Sequence, residues 1–507
     1  MADKVIVTSE SALRQKYGAG GLRAIKLAVA RLVAADKTRG LVTRLVALDN
    51  AAAMKRLKGP QVLSVNNCRQ NKEAIDAVWA ATSPDYLMIL GSTDVVPHQD
   101  LRNPVHPAGE DDDVYAYGDL PYACDAPYGR DITKFIGPTR VVSRLPDLTG
   151  AHDPAHLVAL VDGAASWTPW APEDAARYFG LSAAVWRGST ALSLGNVFGN
   201  ADALKLAPPD GPVFPAPVLG ARAHFINCHG GDADPAFYGQ LGRSYPQALR
   251  SQTTEGKISP GTVAAVECCY GAQLYPAEAL QLPVPICQSY LAQGAYGYFG
   301  STTIAYGPAD GNSAADLIAQ YFLLKVLEGS SIGMAALSAR QEFVSQTGQM
   351  DPVDLKTLAQ FCLYGDPSIH PVPVPSPTAV PKGVYASVVD AMGRRERRTK
   401  MADTGRLLET AKPTAGAVQR RGRVSPQIRS VLAGLCKAAG VPSGQFAAFA
   451  VRRRGGARDA KAIGHPERYH VLVSVPRGHG ASWKQSVAIV AKEVGRRVVG
   501  YRVYYRR

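Results

Sequence analysis

The sequence predicts an α/β protein, a parallel sheet sandwiched between helices, followed by a small basic α+β domain. Three observations carry that prediction. Strand-like and helix-like runs alternate from the first residues onward, the pattern of a sheet with helices on both faces. Two short apolar runs, residues 223–227 and 263–266, end abruptly in reactive side chains and glycine, as buried parallel strands do where they open into loops. The charge also divides sharply: 56 Lys and Arg stand against 42 Asp and Glu, a net of +14. From Pro381 onward the balance is 27 against 7, a net of +20, which leaves 29 against 35, a net of −6, for residues 1–380.

Composition bounds the class. At 507 residues and 46% hydrophobic the chain is globular and long enough for roughly two to four domains. Its first residues pass directly into a strand without a basic and then apolar leader. No apolar run reaches the ~20 residues that a membrane helix needs. Eight cysteines in no metal-binding spacing suit a reducing compartment better than a disulfide framework. The expectation is a cytoplasmic protein without a zinc site or membrane contact.

Taken in order, residues 4–8 read as a strand, 22–35 as a helix, 41–48 as a strand, 71–80 as a helix and 86–91 as the strongest early strand. Residues 104–137, rich in Pro, Gly, Asp and Tyr, read as a long surface loop. Its acidic run, Glu110-Asp111-Asp112-Asp113, is expected to be solvated or to hold a structural calcium through its carboxylates. Residues 140–144 begin a second α/β unit with a helix over 155–167, and 207–220 form a proline-rich loop. Trp167, Trp170 and Trp186 are assigned to core or interface packing. The crossover from the 223–227 strand to the 263–266 strand is expected to be a helix over 244–254. Residues 295–302 read as a further buried strand, and 314–327 and 332–347 as helices, the first closed by Gly329.

Proline-rich residues 371–381 mark a domain boundary. The basic run from Gly393 to Lys400 is assigned to solvent. Beyond it, 426–439 is expected to be helical, 445–453 and 468–475 extended, 483–494 helical and 497–505 a final alternating strand. The expected organisation is therefore an N-terminal α/β subdomain (1–150), a catalytic subdomain (151–370), a linker (371–425) and a small basic α+β domain (426–507). Arginine interleaved with Tyr469, Trp483, Tyr501, Tyr504 and Tyr505 suits phosphate contacts and stacking on nucleic acid. It suits equally an acidic protein partner, or docking on the acidic region of the same chain to cover its crevice.

The chemistry concentrates where the two apolar runs end. The first delivers His229, Gly230 and Gly231; the second delivers Glu267, Cys268 and Cys269. If these strands are parallel neighbours, a histidine and a cysteine face each other across one crevice at the carboxyl end of the sheet. A thiolate is the nucleophile, and an imidazole both takes its proton and later protonates a leaving amine. A main-chain N–H near Gly230 supplies oxyanion stabilisation. Glu267 and His224 are candidates to orient neighbouring groups.

An apolar strand ending in His-Gly, then one ending in an acidic residue, a small residue and Cys, resembles the caspase-like clan of cysteine peptidases. Further stretches resemble its gingipain branch: Tyr86 to Gly91 with Val96-Pro97, Asp112-Asp113-Val114-Tyr115, Thr139 to Leu145, Gly333 to Leu337, and Leu363 to Ser368. The likeness spans residues 80–372 and keeps the order of motifs. It implies a caspase-like sheet with helices on both faces and a Cys-His endopeptidase that requires no cofactor. Cys269 is the favoured nucleophile and Cys268 the alternative; Gly271, three residues after Cys268, keeps the latter open. The resemblance also implies an aspartate in the pocket for a basic side chain, Asp112 first, with Asp232 and Asp234 as rivals. The expected function is an intracellular peptidase cleaving after basic residues and regulated or targeted by its basic domain. The competing expectation is a silent scaffold whose basic domain binds nucleic acid or an acidic partner.

Overall fold

A computed structural model of the chain describes residues 2–373, 384–419, 424–452, 466–476 and 485–507. The protein is α/β, built on a ten-stranded sheet in the order Thr43–Ala47, Lys4–Thr8, Tyr86–Leu90, Val142–Leu145, Phe361–Tyr364, Gly297–Ser301, Val263–Val266, Ala223–Asn227, Tyr178–Ala183 and Leu204–Ala207. The first five strands run parallel to one another, as do the last five. The halves meet antiparallel where Phe361–Tyr364 pairs with Gly297–Ser301. One sheet therefore crosses the expected boundary at residue 150. The carboxyl ends of its two halves open toward opposite rims.

Both faces of the central strands are buried, which is why their sequences read as continuous apolar runs. In Val263–Val266, Ala264 and Val266 pack into one core cluster while Val263 and Ala265 pack into another. The first cluster lies under the helices Glu10–Thr38, Ala155–Ser166 and Ile286–Ala292. The second lies under Ala315–Leu327, Ile332–Gln346 and Pro352–Gln360. Their N-termini follow sequence logic: Ser9 accepts from Ala12 N, Asn67 from Gln70 N, Ser331 from Met334 N, and Asp351 from Val353 N and Asp354 N.

A second sheet of six antiparallel strands runs in the order Tyr306–Gly307, Arg497–Arg506, Val487–Val494, Glu467–Ser474, Ala447–Arg452 and Thr414–Gln419. Its first strand belongs to the large α/β region and the rest to the basic region. One face carries Phe449, Tyr469, Val471, Val473, Ala488, Val490 and Tyr504 into the second core cluster. The other is covered by the helix Pro426–Ala438 through Ile428, Leu432 and Cys436. The small domain thus shares a core with the large one. Three expectations need correction. Residues 487–494 form a strand, not a helix, because an apolar run buried on both faces has no period to distinguish the two. Within 244–254, Gln247–Arg250 is a strand paired with Ala236–Tyr238, and only Ser251–Thr254 turns as helix. The segment 393–400 lies in the long helix Val384–Ala411, with Arg394 buried beside Asp3 and Asp85 and Arg398 3.1 Å from Asp85. Most of the proline-rich boundary stretch and Trp483 lie outside the described residues. All eight cysteines are free, and among the described residues no helix is long and apolar enough to cross a membrane.

Candidate active site

The histidine and cysteine strands are parallel neighbours in the expected register. Ala223 to Ile226 pair in order with Val263 to Val266, so three residues beyond the last pair each chain delivers one reactive side chain, His229 and Cys269. Gly230 packs directly against the main chain of Cys269: a Cβ there would lie 1.8 Å from the Cys269 carbonyl oxygen, so only glycine fits. The two cysteines part company. Cys268 sits in the core cluster with Ile226 and Cys228, its Sγ 3.4 Å from Cys228 N, and burial pushes its thiol well up. Cys269 sits in the other cluster, its Sγ 3.2 Å from the donating Ala305 N.

His229 is buried between Trp186 and Tyr245, ring centroids 4.3 and 5.3 Å away. Its Nε2 lies 2.8 Å from Gln240 Oε1. The Gln240 amide is oriented by its Nε2, which donates to the Gly242 carbonyl at 3.1 Å. An amide oxygen only accepts, so Nε2 is the donor toward Gln240, and the ring also hydrogen-bonds the Arg506 main chain. Burial, with the charges of Arg507 and Arg506 adding to it, pushes the His229 imidazole down to about 3. Burial pushes the Cys269 thiol up to about 11, opposed by the positive charge of Arg506. With these neighbours in place, both groups are neutral at pH 7.

The cleft is filled from within the chain. The Arg497–Arg506 strand pairs antiparallel with Tyr306–Gly307, matching Arg506 to Tyr306 and Tyr505 to Gly307. Its continuation, Arg507, donates its N–H to Ala305 O at 2.9 Å, and its main-chain oxygen lies 3.4 Å from the donating N–H of Cys269. The Arg507 side chain is fully buried. Its Nη2 reaches both carboxylate oxygens of Asp316 at 2.9 Å and the carbonyl of Pro308 at 2.8 Å. The guanidinium carbon lies 4.3 Å over the Trp186 ring, a cation–π contact. Glu267 Oε2 is 3.9 Å from Nε. Gly307 makes room: a Cβ there would come within 2.2 Å of Nη2. Burial and the neighbouring Asp316 push the Glu267 carboxyl well above its usual range, so the pocket carries about one negative charge against one arginine.

The structure packs Gly230 on the Cys269 main chain, places Glu267 beside Arg507, and does not bring Asp112, Asp232 or Asp234 to the Arg507 side chain. Asp112 is exposed on its loop. Asp232 accepts from Gln273 Nε2 at 2.6 Å, and Asp234 from Ala236 N and Tyr238 Oη. The neighbours of Asp112 are structural instead. Lys356 bridges Asp111 and Asp113 at 2.7 and 2.9 Å, Asp111 accepts from Tyr306 Oη, and Asp113 accepts from Tyr270 Oη and Ile304 N. The acidic loop thereby buttresses the cleft around Cys269. His224 is held between Tyr290 Oη and Ala221 O, within the strand and away from its reactive end. Among the described residues the buried trio of possible metal ligands is His98, Asp119 and Cys362, but Asp119 already takes a bidentate Arg144 at 2.6 and 3.0 Å.

Sequence reasoning missed Asp316, Trp186 and Gln240. Asp316 had a signal, an acidic residue in the first turn of a helix otherwise buried and apolar. Trp186 had a weaker one, its place just beyond the carboxyl end of the strand next to the histidine strand.

No family model matches the chain, and no curated protein matches it. Solved structures similar to it include a protease, at TM-score 0.48 and 12% identity over 99% of this chain and 97% of that one. Another is separase of Saccharomyces cerevisiae in its complex with securin, at TM-score 0.29 and 14% identity over 46% of this chain and 14% of that one. At those values neither likeness bears on chemistry, and function has to be read from the cleft itself.

Proposed function

We propose that the protein is a caspase-like cysteine endopeptidase that cleaves after arginine, with Cys269 as nucleophile and His229 as acid and base. One observation carries the reading. An arginine side chain is buried against Asp316 and Glu267 while its main-chain oxygen meets the Cys269 N–H, the arrangement a substrate needs at the bond to be cut. His229 Nδ1 takes the Cys269 proton, and the thiolate attacks the carbonyl carbon that follows the arginine side chain. The C–S bond forms as the C–N bond breaks, and His229 returns its proton to the departing amine. Water then hydrolyses the thioester, with His229 as base, to give the carboxylate and regenerate the thiol. Gln240 keeps the ring in the useful tautomer, and the Cys269 N–H, with the Gly230 turn packed on it, holds the developing oxyanion. The pocket acid in this reading is Asp316, the role first sought in Asp112, Asp232 and Asp234. No cofactor enters these steps, and the substrate is a protein or peptide.

The competing scaffold reading loses ground because much of the basic surplus is spent within the chain. Arg394, Arg398, Arg406, Arg502 and Arg507 pair with Asp3, Asp85, Asp125, Asp351, Asp354 and Asp316. Tyr469 and Tyr504 are buried against the large domain through Gln349 and Asp351, away from any nucleic-acid surface. The test is a panel of fluorogenic peptides ending in Arg, Lys, Asp or Leu, with Cys269→Ala as control. Release confined to arginine, or to arginine and lysine, and lost in the control is the expected result. Equal release from leucine peptides, or activity surviving in the control, overturns the proposal.

A further inference from the structure

We infer that the Arg497–Arg506 strand, with Arg507, is a resident substrate mimic that closes the cleft in cis, and that its sequence reports what the enzyme prefers to cut. The inference rests on the peptidase reading for its second half. The strand occupies the edge of Tyr306–Gly307 by antiparallel pairing, which is how an extended peptide adds to an exposed edge. Arg507 stands where the residue before the scissile bond belongs. Arg506 follows in the next position, its side chain beside Tyr270, Tyr306 and Cys269 and within the field of Asp113. Tyr505 lies opposite Gly307. The occupant thus reads aromatic, Arg, Arg, and the substrate class is a chain with two consecutive arginines in extended conformation.

The fit of Arg507 is that of a ligand more than of a permanent strut. Its Nε and Nη1 find no hydrogen-bond partner among the described residues, although both are buried. Unmatched buried donors cost the closed state free energy and favour withdrawal. The rest of the strand is anchored well: Arg502 pairs with Asp351 and Asp354, and Tyr504 donates to Asp351. Withdrawal therefore requires only residues 505–507 to peel from the edge while the small domain stays docked. Gln485 and Ser486 complete the closure from the neighbouring strand and its approach. Gln485 hydrogen-bonds Gln240 and Tyr245, and Ser486 O accepts from Arg506 N.

The test uses the full chain, unchanged and as Arg507→Glu, whose new carboxylate would face Asp316. Alkylation of Cys269 by iodoacetamide is followed by mass spectrometry, together with hydrolysis of a fluorogenic Tyr-Arg-Arg peptide. Losing one partner of a buried ion pair is worth about a hundredfold or more in occupancy, so alkylation of Cys269 should quicken by about that factor. Cys124, Cys268 and Cys362, all buried elsewhere, should stay slow. A free peptide with the sequence of residues 500–507 should slow Cys269 in the variant again. Alkylation that quickens without any hydrolysis upholds the closed cleft and overturns the peptidase reading. Hydrolysis equal in both chains with unchanged alkylation overturns the closed cleft and leaves the peptidase standing. If the other cysteines quicken too, the variant has unfolded and Asp316→Asn, which loosens the same pocket from its other side, decides by the alkylation of Cys269 alone.

Discussion

Replacing Asp316 with asparagine should move two rates in opposite directions. The carboxylate is fully buried, meets one guanidinium nitrogen with both oxygens at 2.9 Å, and also receives the Asn227 amide at 3.3 Å. Removing its charge leaves a buried guanidinium facing Glu267, whose own carboxyl is mostly protonated. Breaking a buried pair in this way costs about 3–5 kcal/mol, and the residual Glu267 charge and the Trp186 face put the expected loss at the lower end, about 3 kcal/mol. At ~1.4 kcal/mol per factor of ten, that is about 100-fold. In the chain carrying Arg507→Glu, so that the cleft is open, kcat/KM for an arginine peptide should fall about 100-fold while that for a leucine peptide changes by less than about threefold. In the otherwise unchanged chain the same substitution should speed alkylation of Cys269, because the resident arginine loses the same partner. A loss shared equally by arginine and leucine peptides, or a fall in kcat/KM without faster alkylation, would refute the assignment of Asp316 and the identity of the two pockets.

Cys269→Ala should abolish covalent labelling by a peptidyl-arginine electrophile in the Arg507→Glu chain, whereas Cys268→Ala should leave turnover within about twofold; labelling that follows Cys268 reverses the choice. Gly230→Ala drives a methyl into the Cys269 carbonyl, a clash worth about 1–3 kcal/mol if the loop yields, and turnover should vanish while thermal melting falls by a few degrees; full activity in this variant would remove the Gly230 turn from the site. The closed cleft should weaken in acid. His229 is held near 3 with the cleft filled, by burial and by Arg507 and Arg506, and returns toward its ordinary ~6.5 when the cleft opens. The open form therefore binds the proton more tightly, closure is at full strength above pH ~6.5, and it loses up to ~1.4 kcal/mol per unit as pH falls from there toward 3. Hydrogen exchange of the amides of 505–507, corrected for intrinsic rates, should rise across that window and stay flatter in His229→Asn; protection that grows in acid contradicts the sign.

The sheet strands, most of the helices and the parallel register of the histidine and cysteine strands were legible because each rests on local pattern. Ala223–Asn227 and Val263–Val266 are apolar runs with abrupt ends, and a parallel register follows from the equal distance of His229 and Cys269 beyond them. The antiparallel meeting of Phe361–Tyr364 with Gly297–Ser301 was not legible, since a strand buried on both faces carries no mark of its direction. The same indifference made Val487–Val494 look helical. The pocket escaped for another reason. Asp316 and Arg507 are made partners by packing between distant segments, and nothing near either residue encodes the meeting. Asp112 was given the role through the resemblance of its segment to the gingipain branch; its neighbours Asp111 and Asp113 are bound to Lys356. For the basic tail the sequence left an external anion and the acidic region of the same chain equally open, and acceptors for Arg394, Arg398, Arg406, Arg502 and Arg507 lie in the same chain.

The short strand Tyr306–Gly307 has a consequence for solubility. While Tyr505 and Arg506 lie against it, the main chains of those two residue pairs are taken up by each other. Once residues 505–507 peel away, the large domain shows one unpaired edge and the small domain shows another, complementary in direction because they were partners. Such edges recruit strands from other chains. Two opened molecules can each lend the other the segment it has withdrawn, a reciprocal exchange that re-forms every bond without closing either cleft on its own chain. The opened protein should therefore be the form that dimerises and, when concentrated, the form that precipitates.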